Sequence, residues 1–221
     1  LFVNALNSEN LSMESEKNVL KLKEEIINAK PEMSALRNII NQAYELYQKG
    51  LGAESIHKNL LNRMNEETKK CIELAEQRIF EKHISGIITC SYSSTVLKLF
   101  ESLKKQGYSF QVYAYKSVWK NRDYSEQMIE ECKKREIDAK KIGSKDVVNI
   151  NSCIGIIGAD SVIAGKGVVN GVPSLQFAKI LNSNKIELYA IAESYKKSVE
   201  VHRADGFEYI ENNLINGIFG V

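Results

Sequence analysis

The stretch GIIGADSVIAGKGVVNG, residues 155–171, carries an apolar run into an aspartate and then into a glycine-punctuated turn. The run begins at Cys153 and reads CIGIIGA, which is typical of a strand buried on both faces of a parallel sheet. Asp160 follows it directly. A carboxylate at the end of a buried strand must either be hydrogen-bonded by its surroundings or face a pocket where something else binds it.

Other short apolar runs alternate with helical segments after residue 85. Further strands are expected at GIITC (86–90), FQVYAY (110–115), IDAKKI (137–142) and IELYAIAE (186–193). Helices are expected near 93–106, 123–135, 144–151 and 173–183. This alternation predicts an α/β fold: a Rossmann-like, mostly parallel sheet with helices on both faces and right-handed crossovers. In such a sheet ligands bind outside the carboxyl ends of the strands.

The N-terminal part of the chain shows helical periodicity instead. Apolar residues recur among charged ones at the spacing of a helix face in three segments, 11–28, 32–49 and 53–82. Pro31 suits the start of the second helix. We therefore predict an N-terminal helical domain, residues 1–84, followed by a Rossmann-like domain, residues 85–221.

Composition restricts the class of protein. The 221 residues include 30 Lys and Arg and 28 Asp and Glu, a near balance that argues against direct nucleic-acid binding. No run approaches the roughly 20 apolar residues of a membrane-spanning helix, and the N-terminus lacks a signal pattern, so we expect a cytoplasmic protein. Neither the 4 Cys nor the 3 His have metal-ligand spacing, so we expect reduced thiols, no metal and no other cofactor.

Hydroxyl-bearing residues follow the first strand. Residues 89–95 read TCSYSST at a strand-to-helix junction, where hydroxyls and free backbone N–H groups suit a phosphate or another anion. The alternative is that Ser93 or Ser94 only caps the helix. After the last predicted strand, Glu193 and Lys196 are expected either to pair with each other or to reach into the same crevice.

Basic residues surround the single tryptophan, Trp119. Lys116, Lys120 and Arg122 have two interpretations, an anion site in the same crevice or a solvated surface patch. We favour the patch, because exposed charged side chains are usually solvated.

Three segments of the α/β part resemble the translation initiation factor 2B alpha/beta/delta family: IITCSYSSTVLKLF (87–100), GADSVIAGKGVVNGVPSLQFAKIL (158–181) and AESYK (192–196). PEMSALRNIINQAYE (31–45) is similar to the N-terminal region of that family, and FEYIENNLINGIFGV (207–221) weakly resembles its C-terminal end. The family also contains methylthioribose-1-phosphate isomerase and ribose-1,5-bisphosphate isomerase. The resemblance implies an archaeal-type initiation factor 2B-like member.

The isomerases of this family convert aldose into ketose phosphates with a cysteine and an aspartate at the strand ends. The resemblance places the family's aspartate at Asp160, the asparagine of its Asn-Lys pair at Asn170 and its pocket lysine at Lys196. Ser91 occupies the position of the catalytic cysteine, and a hydroxyl is too weak an acid to replace a thiol without an adjacent base. Cys90, one residue earlier, is expected on the opposite face of the strand.

Other phosphate-binding elements of the isomerases are also missing. The Arg-Gly-Ala segment has no counterpart around residues 8–15, the Glu-Ser-Arg-Pro segment is replaced by YKSV (115–118), and the lysine of the Asn-Lys pair is replaced by Gly171. Each lost charged hydrogen bond should cost about 1.5–3 kcal/mol of substrate binding. Residues 91–93 are similar instead to the Tyr-Ser stretch of the family's non-catalytic subunits.

The resemblance therefore implies a non-catalytic regulatory subunit that forms a homodimer and binds initiation factor 2 or related subunits. Its crevice would hold a phosphorylated small molecule, a sugar phosphate or a nucleotide, through Ser91, Tyr92, Ser93, Asp160, Asn170 and Lys196. Two alternatives stay open. One is a sugar-phosphate aldose-ketose isomerase of the ribose-1,5-bisphosphate isomerase type, with a remodelled site. The other is a vestigial crevice in which Asp160 only caps the following turn.

Overall fold

The computed structural model describes residues 13–202 and 204–221, with side chains from residue 17 onwards. The N-terminal part folds as α1 (Met13–Ala29), α2 (Ser34–Gln48) and α3 (Ala53–Glu81), close to the three predicted helices. Residues 11 and 12 of the first predicted helix lie outside the described residues. Within the described ranges no helix is both long and apolar enough to cross a membrane.

The rest of the chain alternates strands with helices. In chain order the elements are β1 (Gly86–Cys90), α4 (Ser94–Lys105), β2 (Gln111–Tyr115), β3 (Val118–Trp119), β4 (Arg122–Asp123), α5 (Tyr124–Lys134), β5 (Ala139–Ile142), β6 (Cys153–Gly158), β7 (Ser161–Ile163), β8 (Gly167–Gly171), α6 (Ser174–Ser183), β9 (Leu188–Ile191), β10 (Lys197–Ser198), β11 (Phe207–Glu211) and β12 (Gly217–Phe219). Short 3₁₀ turns lie at Val147–Asn149, Ser194–Lys196 and Asn212–Leu214.

Six strands form one parallel sheet in the order β12-β9-β6-β1-β2-β5. The chain moves outward from β1 through β2 to β5 and then returns to the other side of β1 as β6. The strand order therefore reverses between β1 and β6, and a crevice is expected beyond the carboxyl ends of these two strands. The Rossmann-like fold class predicted from the sequence is confirmed.

Helices α3, α4 and α5 cover one face of this sheet. Ile87, Val112 and Ile156 project from the strands into this layer, where they meet Phe100 of α4 and Met128 of α5. All five side chains are fully buried. The alternation of inward and outward positions along each strand makes this face apolar throughout.

The opposite face is covered by α6 and by a second, four-stranded sheet in the order β10-β7-β8-β11. Ile88 and Ile157 of the main sheet share a core there with Phe177 of α6 and with Val162 and Val168 of the small sheet. Both faces are therefore buried, which is why the central strands β1, β6 and β9 read as continuous apolar runs rather than as an alternating pattern.

The prediction of a helix near 144–151 is wrong. Only the 3₁₀ turn Val147–Asn149 forms there. The side chain of Asp146 accepts a hydrogen bond from the N–H of Gly143 at 2.7 Å, which favours a turn over a helix. Val147 is buried whereas Val148 is 65% exposed, so the segment has a single apolar anchor and no helix face to bury.

Helix α3 belongs to two hydrophobic cores. Its first half packs with α1 and α2 through Ile56 and Leu60. Its second half packs against the main sheet through Cys71, Ala75 and Ile79. The division into domains at residue 84 stays a prediction.

Replacing Phe100 by Ala should lower the free energy of unfolding by about 3–5 kcal/mol, because the ring is fully buried between α4 and the sheet. Leu74→Ala on α3 is the control, since Leu74 is 47% exposed and should change stability by less than about 1 kcal/mol. Equilibrium urea unfolding of both variants measures the difference. Equal losses would contradict the assignment of Phe100 to the core.

Candidate functional site

A cavity of about 540 Å³ opens where the strand order reverses. Its floor is formed by residues 91–95 after β1, residues 158–160 at the end of β6 and residues 170–172 at the end of β8. The cavity thus lies beyond the carboxyl ends of the strands, where ligands bind in folds of this class.

The six residues predicted to bind a ligand all line this cavity: Ser91, Tyr92, Ser93, Asp160, Asn170 and Lys196. They come from segments far apart in the sequence. The parallel sheet brings those that follow β1, β6 and β9 to one edge because its strands all end on the same side, and the small sheet adds Asn170 from β8.

Ser93 caps helix α4. Its Oγ accepts a hydrogen bond from the N–H of Val96 at 3.3 Å, and Ser94 and Thr95 of the first turn line the cavity. Gly158 lies against this cap, because a β-carbon on Gly158 would be 2.5 Å from Ser93 Oγ and 2.8 Å from Ser93 Cβ. The capping interpretation therefore holds, and the positive end of α4 still faces the cavity.

Ser91 is the residue that the resemblance assigns to the position of the isomerases' cysteine. Its backbone has φ 66°, and its N–H donates to Ser117 Oγ at 3.2 Å. Cys90 points the other way into the core and is 1% exposed, and burial raises the pKa of its thiol well above the usual value. No thiolate therefore reaches the cavity from Cys90. A β-carbon on Gly171 would be 3.2 Å from Ser91 Oγ, so Ser91 and Gly171 lie side by side.

Asp160 is held by its backbone rather than by its side chain. Its N–H donates to the carbonyl of Val169 at 2.8 Å, and its carbonyl accepts from Ser34 Oγ at 3.3 Å. The part of the chain with described side chains offers no hydrogen bond to its carboxylate, so the turn-capping interpretation lacks support. Burial raises the pKa of this carboxyl to about 6, and Glu32 adds to the rise, whereas Lys196 opposes it.

Asn170 of β8 offers an unused donor. The residue is 7% exposed, and its Nδ2 has no hydrogen-bond partner among the described residues. A buried amide without a partner costs about 1–3 kcal/mol. Asn170 lines the cavity, so a ligand whose acceptor reaches Nδ2 would remove that cost.

Glu193 and Lys196 pair with each other. Glu193 is 1% exposed, and its carboxylate accepts from Thr68 Oγ1 of α3 and Thr95 Oγ1 of α4, both at 2.9 Å. Lys196 Nζ lies 2.8 Å from the other carboxylate oxygen. Burial alone would raise the pKa of Glu193, but Lys196 and the hydrogen bonds lower it below its usual value. Lys196 still contributes to the cavity wall.

Several cavity residues were not predicted from the sequence. Lys30 and Met33 reach the cavity from the junction of α1 and α2, and the aromatic residues Trp119, Tyr124 and Phe207 also line it. No local pattern marks Lys30 or Met33. The aromatic residues have one feature in common that a sequence analysis could use. Trp119 lies in β3, Tyr124 directly follows β4 and Phe207 begins β11.

The basic residues around Trp119 do not form an anion site. None of Lys116, Lys120 and Arg122 lines the cavity. Lys120 pairs with Asp205 at 3.1 Å, and both side chains are 70% exposed. Among the described residues, His, Cys, Asp and Glu side chains nowhere group in threes that could hold a metal ion.

A sequence profile of the initiation factor 2 subunit family matches residues 3–212. A translation initiation factor eIF-2B subunit 2-like protein of Pyrococcus horikoshii is 26% identical over 206 residues, covering 90% of this chain and 71% of its own. Its counterpart in Pyrococcus furiosus is 28% identical over 189 residues, covering 82% and 64%. Subunit alpha of eIF2B from Caenorhabditis elegans is 27% identical over 128 residues, covering 54% and 39%.

Solved structures share the fold. The crystal structure of eIF-2B from Pyrococcus horikoshii has a TM-score of 0.81 at 22% identity, covering 99% of this chain and 84% of its own. The delta subunit of eIF2B from Chaetomium thermophilum has a TM-score of 0.74 at 13% identity, covering 99% and 85%. A chain of the tetrameric beta2-delta2 complex from the same organism has a TM-score of 0.68 at 12% identity, covering 97% and 76%.

Replacing Gly158 by Ala should displace the start of α4, because the new β-carbon would overlap Ser93. We expect a loss of about 1–3 kcal/mol in the free energy of unfolding. Gly52→Ala is the matched control, since a β-carbon there meets nothing within 4 Å, and it should change stability by less than about 1 kcal/mol. Urea unfolding compares the two variants, and equal stabilities would show that Gly158 and Ser93 are not in close contact.

Asp160→Asn should change how stability depends on pH. The pKa of Asp160 is raised to about 6, so the folded chain holds this proton more tightly than the unfolded chain does. Stability of the parent protein should therefore fall as the pH rises from about 4 to about 6 and then stay level. The variant lacks this fall, so its stability relative to the parent should increase over that interval in urea unfolding. A pH-independent difference would contradict the raised pKa.

Proposed function

The chain belongs to the initiation factor 2 subunit family, and on that premise we propose that it is a non-catalytic initiation factor 2B-like regulatory subunit. In this proposal it binds a phosphorylated small molecule in the cavity. It also forms a homodimer and contacts initiation factor 2 or related subunits in the cytoplasm.

One observation carries the proposal: Asp160, Asn170 and Lys196 line the cavity, whereas none of the described residues that line it supplies a thiol. Ser91 is the residue at the cysteine position, and Cys90 is turned into the core. None of the described residues that line the cavity is a cysteine or a histidine.

The phosphate is best placed at the start of α4. The first turn of the helix presents backbone N–H groups to the cavity at Ser94 and Thr95, and a helix N-terminus favours negative charge. Lys30 and Lys196 line the same cavity and add positive charge. These groups suit one phosphate.

Sugar hydroxyls fit the part of the wall that contains Asp160 and Asn170. The carboxylate of Asp160 can accept hydrogen bonds from hydroxyls, and Nδ2 of Asn170 can donate one. Both groups lack protein partners for these atoms among the described residues. A polyhydroxylated ligand would satisfy them together.

Isomerisation of a sugar phosphate requires two catalytic groups, and the cavity supplies one of them in this proposal. Moving a proton between neighbouring carbons requires one group to transfer the proton and another to polarise the sugar oxygens. Asp160 has a pKa of about 6 and suits proton transfer. The hydroxyl of Ser91 is a much weaker acid than a thiol, so in this proposal it does not replace the cysteine of the isomerases.

The relatives support partner binding. One solved neighbour is a tetrameric complex of eIF2B beta and delta subunits, and the fold of this chain matches a chain of that complex. A regulatory subunit would be expected to assemble in a comparable way. Size-exclusion chromatography with light scattering tests the homodimer, and a pull-down with purified initiation factor 2 tests the partner. A monomer that captures no initiation factor would contradict this part of the proposal.

Ligand binding is tested by calorimetry with ribose 5-phosphate. Asn170→Leu should weaken binding about tenfold because the ligand loses one hydrogen bond, while stability should hold or rise because an unpartnered buried amide is removed. Asn59→Leu on the exposed side of α3 is the control and should leave binding unchanged. Ketose formation from ribose 1,5-bisphosphate or methylthioribose 1-phosphate by the parent protein would establish the isomerase alternative instead.

A further inference from the structure

We propose that Glu193 is a positioning residue of the cavity: it holds the ammonium of Lys196 beside the first turn of α4 and so leaves the carboxylate of Asp160 available to a ligand. This role rests on the proposed ligand-binding function and concerns the same cavity. One lysine thereby serves the part of the cavity proposed for the phosphate, and one carboxylate serves the part proposed for the hydroxyls.

The backbone brings Lys196 close to Asp160 as well as to Glu193. Strand β10 pairs in parallel with β7, and Lys197 lies opposite Val162, one residue beyond Lys196 and two beyond Asp160. Oγ of Ser34 lies 2.5 Å from the carbonyl oxygen of Lys196 and 3.3 Å from that of Asp160. A lysine side chain that starts here is long enough to turn toward either carboxylate.

The ammonium is found at Glu193. Lys196 Nζ lies 2.8 Å from the carboxylate of Glu193, and within the described residues it forms no ion pair with Asp160. The side chains of Lys196 and Glu193 are 15% and 2% exposed. Solvent screens a pair this deeply buried much less than a surface pair, so the ammonium is held firmly.

The carboxylate of Glu193 is itself fixed by two helices. Its other oxygen accepts hydrogen bonds from Thr68 of α3 and Thr95 of α4, both at 2.9 Å. Thr95 belongs to the first turn of α4 and lines the cavity. Glu193 therefore sets the position of the ammonium relative to the start of α4, where a helix N-terminus also favours negative charge.

Other titratable side chains lie near the two carboxylates: Lys30 and Glu32 from the junction of α1 and α2, Glu67 and Cys71 from α3, and Tyr195 beside Lys196. Burial raises the pKa of Cys71 and of Tyr195, so both are neutral near pH 6. Among the charged groups that act on the pKa of Asp160, Lys196 has the largest effect, and it opposes the rise caused by burial. A movement of Lys196 should therefore change the pKa of Asp160 more than any other rearrangement nearby.

Glu193→Gln tests this role because it keeps the shape of the side chain and removes the charge that holds the ammonium. Lys196 should then turn to Asp160, and the pKa of Asp160 should fall from about 6 to about 3–5. Carbon-13 NMR of protein labelled at the aspartate carboxyl groups measures this pKa. The chain has 5 aspartates, and Asp160→Asn identifies the signal of Asp160.

Calorimetry with ribose 5-phosphate gives a second readout. Removing a negative charge near the phosphate would by itself strengthen binding. We expect the opposite, binding about tenfold weaker in Glu193→Gln, because the ammonium leaves the start of α4 and occupies Asp160. Binding as tight as that of the parent, or tighter, would contradict the positioning role.

Lys196→Met shows whether the lysine carries the effect. Adding Glu193→Gln to Lys196→Met should cause no fall in the pKa of Asp160, since no ammonium is left to move. Lys196→Met also keeps the role testable if Glu193→Gln does not fold. The pKa of Asp160 should then rise by less than about 1, because Lys196 is held away from it, and a larger rise would contradict the inference.

Glu187→Gln is the matched control. Glu187 pairs with Lys82 and directly precedes β9, at the opposite end of that strand from Glu193. It should leave both the pKa of Asp160 and the affinity unchanged. An unchanged pKa of Asp160 in Glu193→Gln overturns the inference, whether or not the ligand binds. A parent protein that does not bind ribose 5-phosphate overturns the proposed ligand, while the NMR titration still decides the role of Glu193.

Discussion

The buried carboxylate of Glu193 is the contact on which the arrangement of the site depends. It joins α3 through Thr68, the start of α4 through Thr95, and Lys196 in the cavity wall. A carboxylate this deeply buried is tolerated only when it is paired and hydrogen-bonded, and removing one partner of such a pair typically costs about 3–5 kcal/mol. The same requirement that stabilises Glu193 therefore fixes the anion-binding end of the cavity relative to the helical part.

Several separate segments of the chain form the cavity. A change in one segment can therefore remove catalysis without removing ligand binding. The groups suited to phosphate and hydroxyls belong to helix and strand ends that the fold itself positions. Two of the positions at which the resemblance to the isomerases fails, Ser91 and Gly171, lie beside each other in the wall. Losing a thiol and an ammonium there would remove chemical capacity at one place, while Asp160, Asn170 and Lys196 still line the cavity.

The features that could be predicted from the sequence were the helices and strands with a regular apolar pattern and the polar residues at the strand ends. Strands β1 and β6, and a ligand crevice beyond the carboxyl ends of the strands, were predicted from continuous apolar runs. The small sheet was not predicted, because β7 and β10 have only three and two residues and because β10 and β11 pair with strands that lie far away in the sequence. Lys30 and Trp119 were not predicted as cavity residues because neither lies at the end of a main-sheet strand. The prediction of a helix near 144–151 was wrong because only one valine of the segment is buried. A helix there would have no apolar face to pack against the core.

Helix α3 spans 29 residues, or about 43 Å at 1.5 Å per residue, and it is shared by both hydrophobic cores. If α3 unfolded, both hydrophobic cores would expose the apolar side chains that this helix covers. The bundle and the sheet therefore cannot melt independently of each other. A scanning calorimeter should record one heat-absorption peak for the whole molecule instead of two.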